Sequence, residues 1–217
     1  LRGRSKLPRL VKIPLTPQKP LIYLVDSNFF ANKYLESNNG ENQVDTDRIE
    51  NSRNWWQIID FQIKEEKAIV FITDLCISET FKIIAKKYYQ AKKISSPKYQ
   101  RIRKKITEDL HLSISHLISA NRKIKYHNLQ ADRDIIVGAS RFLEIAHKNN
   151  LDSISVIDLV ILSSAKYLID FYKISKEQII IISGDQKLIK CSKKAPDIPT
   201  VIDALNPKNT PEKYYEN

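Results

Sequence analysis

Methionine is missing altogether from the 217 residues, glycine occurs four times and cysteine twice. So little glycine excludes collagen-like architecture. No G-x-x-x-x-G-K-[ST], G-x-G-x-x-G or G-x-S-x-G occurs, and Gly40, Gly138 and Gly184 stand isolated, which argues against a P-loop nucleotidase, a dinucleotide fingerprint and a serine hydrolase elbow. Cys76 and Cys191 fall in no C-x-x-C or Cys/His spacing, so a disulfide scaffold, a zinc module and a redox motif are not expected, and a reducing, cytoplasmic setting is. The histidines, His111, His116, His127 and His147, include no i, i+4 pair, so histidine metal ligation is not expected either. No apolar run approaches the ~20 residues of a membrane span. Residues 1–19 are too interrupted by basic residues and proline for a signal-peptide core, so a membrane is not an expected partner.

What the chain does have is a globular mixture, 42% apolar and 28% charged, with a formal net charge of +11. That positive charge is unevenly placed. Residues 1–20 carry six basic and no acidic side chains, and residues 82–125 carry thirteen basic and two acidic. Together they reach +17 against a whole-chain +11, so the remainder is net acidic at −6. Basic appendages on an acidic body suit a polyanionic partner whose processing centre needs carboxylates. A solvated lysine-rich helix gives the same count.

Leu21–Val25 is an apolar run between Pro20 and Asp26 and reads as a buried strand. Asp26, Ser27 and Asn28 are helix-start residues, and Phe29, Phe30, Lys33 and Tyr34 continue at helical spacing. Residues 36–50 read as a polar connection. Trp55, Trp56, Ile59 and Ile63 predict a helix over 52–66, with one tryptophan in the core and the other toward a partner or a dimer mate. Further elements are expected as strand 68–73, helix 74–90, a break at Ser95-Ser96-Pro97, helices 99–120, 132–148 and 155–172, strand 178–182, a short helix to Lys194, and strand 200–202. In helix 99–120, Leu110, Ile114, Leu117 and Ile118 form the apolar face. Apolar strands alternating with helices predict an α/β fold with a mostly parallel sheet covered on both faces. One domain over 21–207 is expected, between a basic N-terminal segment (1–20) and a tail (208–217).

Four carboxylates stand at equivalent places in this scheme. Asp26 follows the first strand, Glu79 lies in the helix after the second, Asp158 opens the apolar helix at Ser155, and Asp185 follows the late strand after Ser183 and Gly184. Singly, Asp26 and Asp185 read equally as N-caps, Asp158 as half of a capping box with Ser155, and Glu79 as the partner of Lys82. Jointly, they would converge at the carboxyl edge of a parallel sheet, where ligands bind. Such a cluster repels itself unless cations neutralise it, and hard oxygen donors suit Mg²⁺ or Mn²⁺. The matching chemistry is metal-assisted phosphodiester hydrolysis.

These residues resemble the PIN-domain nucleases, including VapC-like ribonucleases. The resemblance rests on Val25-Asp-Ser-Asn28, Ser78-Glu79-Thr80, Ser155-Val-Ile-Asp158, Ser183-Gly-Asp185 and Val201-Ile-Asp-Ala-Leu-Asn-Pro207, and spans about 21–207. It implies a three-layer α/β/α fold and endoribonuclease activity on single-stranded RNA with Mg²⁺ or Mn²⁺. It makes Asp26, Glu79, Asp158 and Asp185 the metal-binding set, with Asn28 and Ser183 as polar neighbours. Many small family members are toxins paired with an antitoxin protein. Residues 36–54 and about 90–125 look like enlargements over the compact members.

Lys92, Lys93, Arg101, Arg103, Lys104 and Lys105 are the expected RNA-binding residues; Tyr88, Tyr89 and Tyr99 flank Lys86, Lys87, Lys92 and Lys93, and their rings would either stack on bases or pack the helix onto the sheet. A structure-selective DNA nuclease and a non-catalytic RNA-binding scaffold subunit are the alternatives.

Overall fold

Burial of Leu21–Val25 and Ile179–Ser183 on both faces sets the architecture, because strands apolar all round must be covered by helices on two sides. The computed structural model describes residues 19–40, 42–110, 126–151, 153–206 and 209. Five parallel strands, β1 (Leu21–Val25), β2 (Ala68–Thr73), β3 (Tyr126–Leu129), β4 (Ile179–Ser183) and β5 (Ile202–Asp203), lie in the order β3-β2-β1-β4-β5. Among the described residues there are seven α-helices: α1 (Ser27–Asn32), α2 (Gln43–Lys64), α3 (Asp74–Ile83), α4 (Ser96–Asp109), α5 (Arg133–Lys148), α6 (Val156–Asp170) and α7 (Gln186–Ser192). α1 to α4 gather on one face and α5 to α7 on the other, as right-handed crossovers would arrange them. Contacts follow that division, α1 meeting α2 and α3 while α5, α6 and α7 meet one another. The fold is a three-layer α/β/α sandwich. Among the described residues no helix is long and apolar enough to cross a membrane.

The α1 to α4 layer is keyed by aromatic rings. Phe29 and Phe30 of α1, Trp56 of α2 and Tyr126 of β3 pack with centroids 5.1 to 5.8 Å apart. Trp56 Nε1 donates to the Phe29 carbonyl at 3.0 Å. Lys33 Nζ lies 4.3 Å from the Trp56 ring centre and 2.6 Å from Asp60, a cation held between a π face and a carboxylate. α1 is thereby fixed at the end of β1.

Several expectations are corrected. Helix 52–66 begins at Gln43, because Asn42 caps it by accepting from the Asp45 N–H at 2.9 Å. The polar connection is thus confined to 36–42 and contains a 3-10 turn, Ser37–Asn39. Trp55 and Trp56 are both 2% exposed, because α2 is covered by α1, the 3-10 turn and β2, so neither faces a partner. Helix 74–90 is α-helical only to Ile83 and π-helical over Ile84–Gln90. The helix expected from 99 starts at Ser96, with Pro97 in its first turn; Ile114, Leu117 and Ile118 lie outside the described residues. β3 was not foreseen. The last strands fall at Ile179–Ser183 and Ile202–Asp203 rather than 178–182 and 200–202.

Candidate active site

Strand order reverses direction between β1 and β4, and this switch point is where the carboxyl ends of a doubly wound sheet open a crevice. Val25 pairs with Ile182, which sets Asp26 beside Ser183. The Asp26 N–H donates to the Ile182 carbonyl at 3.3 Å, and Ser183 Oγ donates to Asp26 Oδ2. Ser183 Oγ also accepts the Asp185 N–H at 2.9 Å, so one buried hydroxyl couples the ends of both strands. Ser183, the last residue of β4, thus holds Asp26 and the backbone of Asp185 through its hydroxyl.

Asp158 reaches the same edge from the opposite layer. α6 leads into the start of β4, so its own first turn stands at the carboxyl edge of the sheet. Glu79, in the second turn of α3 after β2, approaches from the first layer and accepts a hydrogen bond from Ser27 Oγ, not an ion pair from Lys82. Thr80 supports this turn, its hydroxyl lying 2.7 Å from the Cys76 carbonyl and 3.3 Å from that of Ser27.

The four carboxylates are electrostatically linked. Burial pushes the Asp26 carboxyl from 3.8 up to about 6, against the hydrogen bonds from Ser183 and the Phe29 N–H, and the charges of Asp158 and Asp185 push the same way. Asp158 is also raised, first by burial and then by Asp185 and Glu79, with Ser155 opposing. Burial drives the Cys76 thiol to about 12, with Asp26, Glu79 and Asp158 all adding, so this cysteine is no nucleophile. None of the four acids pairs with a Lys or Arg among the described residues.

Three of the four are also helix caps. Asp26 Oδ1 accepts the Phe29 N–H at 2.6 Å, Asp185 Oδ1 accepts those of Lys187 and Leu188 at 2.7 and 3.1 Å, and Asp158 Oδ2 accepts from Ser155 N and Oγ at 3.2 and 2.6 Å. Capping uses one oxygen each of Asp158 and Asp185, and Ser27 uses one of Glu79. The second oxygen of each of these three accepts no hydrogen bond from a described residue. Among the described residues, no three His, Cys, Asp or Glu side chains form a ready-made metal-binding group.

Beside the acids lies a cleft of about 330 Å³, lined on one wall by Asn28 and Asp185 and on the other by Asp45 and Arg48 of α2 and Lys87 and Tyr88 of the π-helical stretch. Asn28 is exposed and lines it. Arg48 and Lys187 carry no distinguishing signal in the sequence, whereas Lys87 is one of the lysines flanked by Tyr88, Tyr89 and Tyr99; the approach of Lys87 to Asp45 joins the π-helical stretch to α2. The six expected RNA-binding residues are elsewhere. Lys92 and Lys93 occupy the turn after the π-helical stretch, Arg101, Arg103, Lys104 and Lys105 are exposed on α4, and none lines the cleft. Tyr88 is 3% exposed and packs into the protein, while Tyr89 stacks on Tyr99 with centroids 4.4 Å apart and is still 38% exposed.

Fold and site together define a doubly wound, all-parallel α/β protein with a coupled carboxylate group at its switch point. The chain matches no known family model, no curated protein and no solved structure.

Proposed function

We propose that this protein is a metal-dependent endoribonuclease of the PIN-domain kind, hydrolysing phosphodiester bonds of single-stranded RNA. The observation that carries the reading is the burial of Asp26 under a shared field of Asp158 and Asp185, with no described cation to neutralise it. A folded protein that concentrates carboxylates without counterions is built to take up positive charge.

The donor set suits the group. Glu79, Asp158 and Asp185 each keep one oxygen that accepts no hydrogen bond from a described residue. Although no three described side chains stand ready as a metal-binding group, hard oxygen donors of this kind suit an ion such as Mg²⁺ or Mn²⁺ that retains waters and accepts phosphate oxygens. Asp26, Asp158 and Asp185 would hold the principal ion, and Glu79 would complete the set or bind a second. When bound, such an ion supplies Lewis acidity for in-line attack of water on phosphorus and for charge on the leaving oxygen. Ser183 holds Asp26 and Asp185 in place, Ser27 orients Glu79, and Asn28 offers an amide to the strand. As a toxin the protein would pair with an antitoxin.

A second reading, a non-catalytic scaffold, draws on the caps at Asp26, Asp158 and Asp185. Titration of Mn²⁺ against a fluorescent RNA oligonucleotide separates the two. The nuclease gives metal-dependent product that Asp26→Asn abolishes; the scaffold gives salt-sensitive binding and no product. A DNA oligonucleotide in the same assay tests the sugar.

A further inference from the structure

We infer that the α2 wall of the cleft is a phosphate subsite, in which Arg48 and Lys87 grip the backbone of a single nucleic-acid strand next to the carboxylates. The assignment deepens the nuclease reading and rests on it for the fate of the strand, but the binding itself requires no chemistry.

The two cations come from different elements and converge on one space, Arg48 from the second turn of α2 and Lys87 from the π-helical stretch. π-helical turns interrupt the α-helical spacing and often occur at functional sites. Here the stretch brings Lys87 and Tyr88 to the cleft together. Asp45, only 15% exposed, lies 3.7 Å from the Arg48 guanidinium and 3.9 Å from Lys87 Nζ. Those distances give attraction without a hydrogen bond. Neither head group donates a hydrogen bond to a described residue, so the donors are held over the cleft and left for a ligand.

The rest of the cleft fits a nucleotide. Its volume of about 330 Å³ is at the small end for ligand cavities. Phe29, Ile49 and Leu205 give it an apolar floor for sugar or base, and Asn28 and Asn32 add amides. Asp185 on the facing wall connects it to the acids. A ligand spanning both walls must be anionic at the α2 side and present a second phosphate to the carboxylates once a divalent ion sits there. A phosphodiester chain has that repeat; an isolated carboxylate ligand does not.

The test measures binding of a short, labelled single-stranded RNA to the full chain by fluorescence anisotropy across a salt series, in EDTA so that nothing is cut. Arg48→Ala with Lys87→Ala should weaken binding about tenfold or more, and flatten the log–log salt slope by roughly 1.4, the value for two single-strand phosphate contacts. Arg48→Lys with Lys87→Arg should restore the slope. Affinity and slope unchanged in the double alanine variant would overturn the assignment, as would retained Mn²⁺-dependent cleavage by it with an unaltered KM. If the double alanine variant loses affinity and slope as expected but the unmutated chain yields no product in Mn²⁺, the subsite stands and the nuclease reading fails.

Discussion

Asp26 ties stability to protonation. Its carboxyl titrates near 6 in the folded protein against 3.8 ordinarily, so between those values the native state binds more proton than the unfolded chain. Its contribution to metal-free stability is fully present below 3.8 and lost as pH rises through about 6, a swing on the order of 3 kcal/mol. Denaturant unfolding in EDTA at pH 4 and pH 7 measures it, and Asp26→Asn should remove this component and be the more stable protein at pH 7. Mn²⁺ competes with the proton for the same oxygens, so Mn²⁺ affinity, read by calorimetry, should rise as pH passes through about 6. Ser183→Ala strips the donor to Asp26 and the acceptor of the Asp185 N–H, and should cost about 1–3 kcal/mol with a matching drop in cleavage. The acids were legible in sequence because their positions at strand ends and helix starts are set by local patterning. Their service as caps was equally legible; at Asp158 and Asp185 capping uses only one of the two oxygens, whereas both oxygens of Asp26 already accept, from the Phe29 N–H and from Ser183 Oγ. Lys87 was legible only as one of several lysines among tyrosines, and Arg48 was not legible, because nothing local separates it from any solvated cation.

At the level of elements, residues 43–54 form the N-terminal half of α2 and supply one wall of the cleft. The sequence pattern there is nearly all polar, with Ile49 its main buried apolar residue, so periodicity gave no sign of a helix. The Asn42 cap and the packing of Ile49 and Ser52 decide it. Asn42→Ala should cost about 1 kcal/mol in chemical unfolding and weaken RNA binding through displacement of Arg48. β3 was hidden for a different reason: Tyr-His-Asn-Leu has little strand character, and its pairing with Val70–Thr73 of β2 imposes the conformation. The turn after the π-helical stretch places Lys92 at φ 58°, a left-handed backbone that favours glycine. Lys92→Gly should therefore raise stability by up to ~1 kcal/mol, seen as a higher Tm.

Across the whole molecule, the charge of +11 is divided by place. Carboxylates gather at the switch point, two cations face them across the cleft, and a basic helix lies outside it. Neutralising Lys92, Lys93, Arg101, Arg103, Lys104 and Lys105 should weaken RNA binding and flatten its salt dependence while leaving Mn²⁺ affinity unchanged. The three-layer arrangement was readable because continuous apolar strands alternating with helices admit few other solutions. The length of the sheet was not, since both edge strands, β3 and β5, are short and are defined by pairing rather than by pattern. The central claim is that the switch-point acids hydrolyse RNA with a divalent ion. Cleavage of a single-stranded RNA by the full chain in Mn²⁺, run beside Asp26→Asn and an EDTA control, tests it most directly. Product only from the unmutated chain with Mn²⁺ is the predicted result; no product, or equal product from Asp26→Asn, would contradict it.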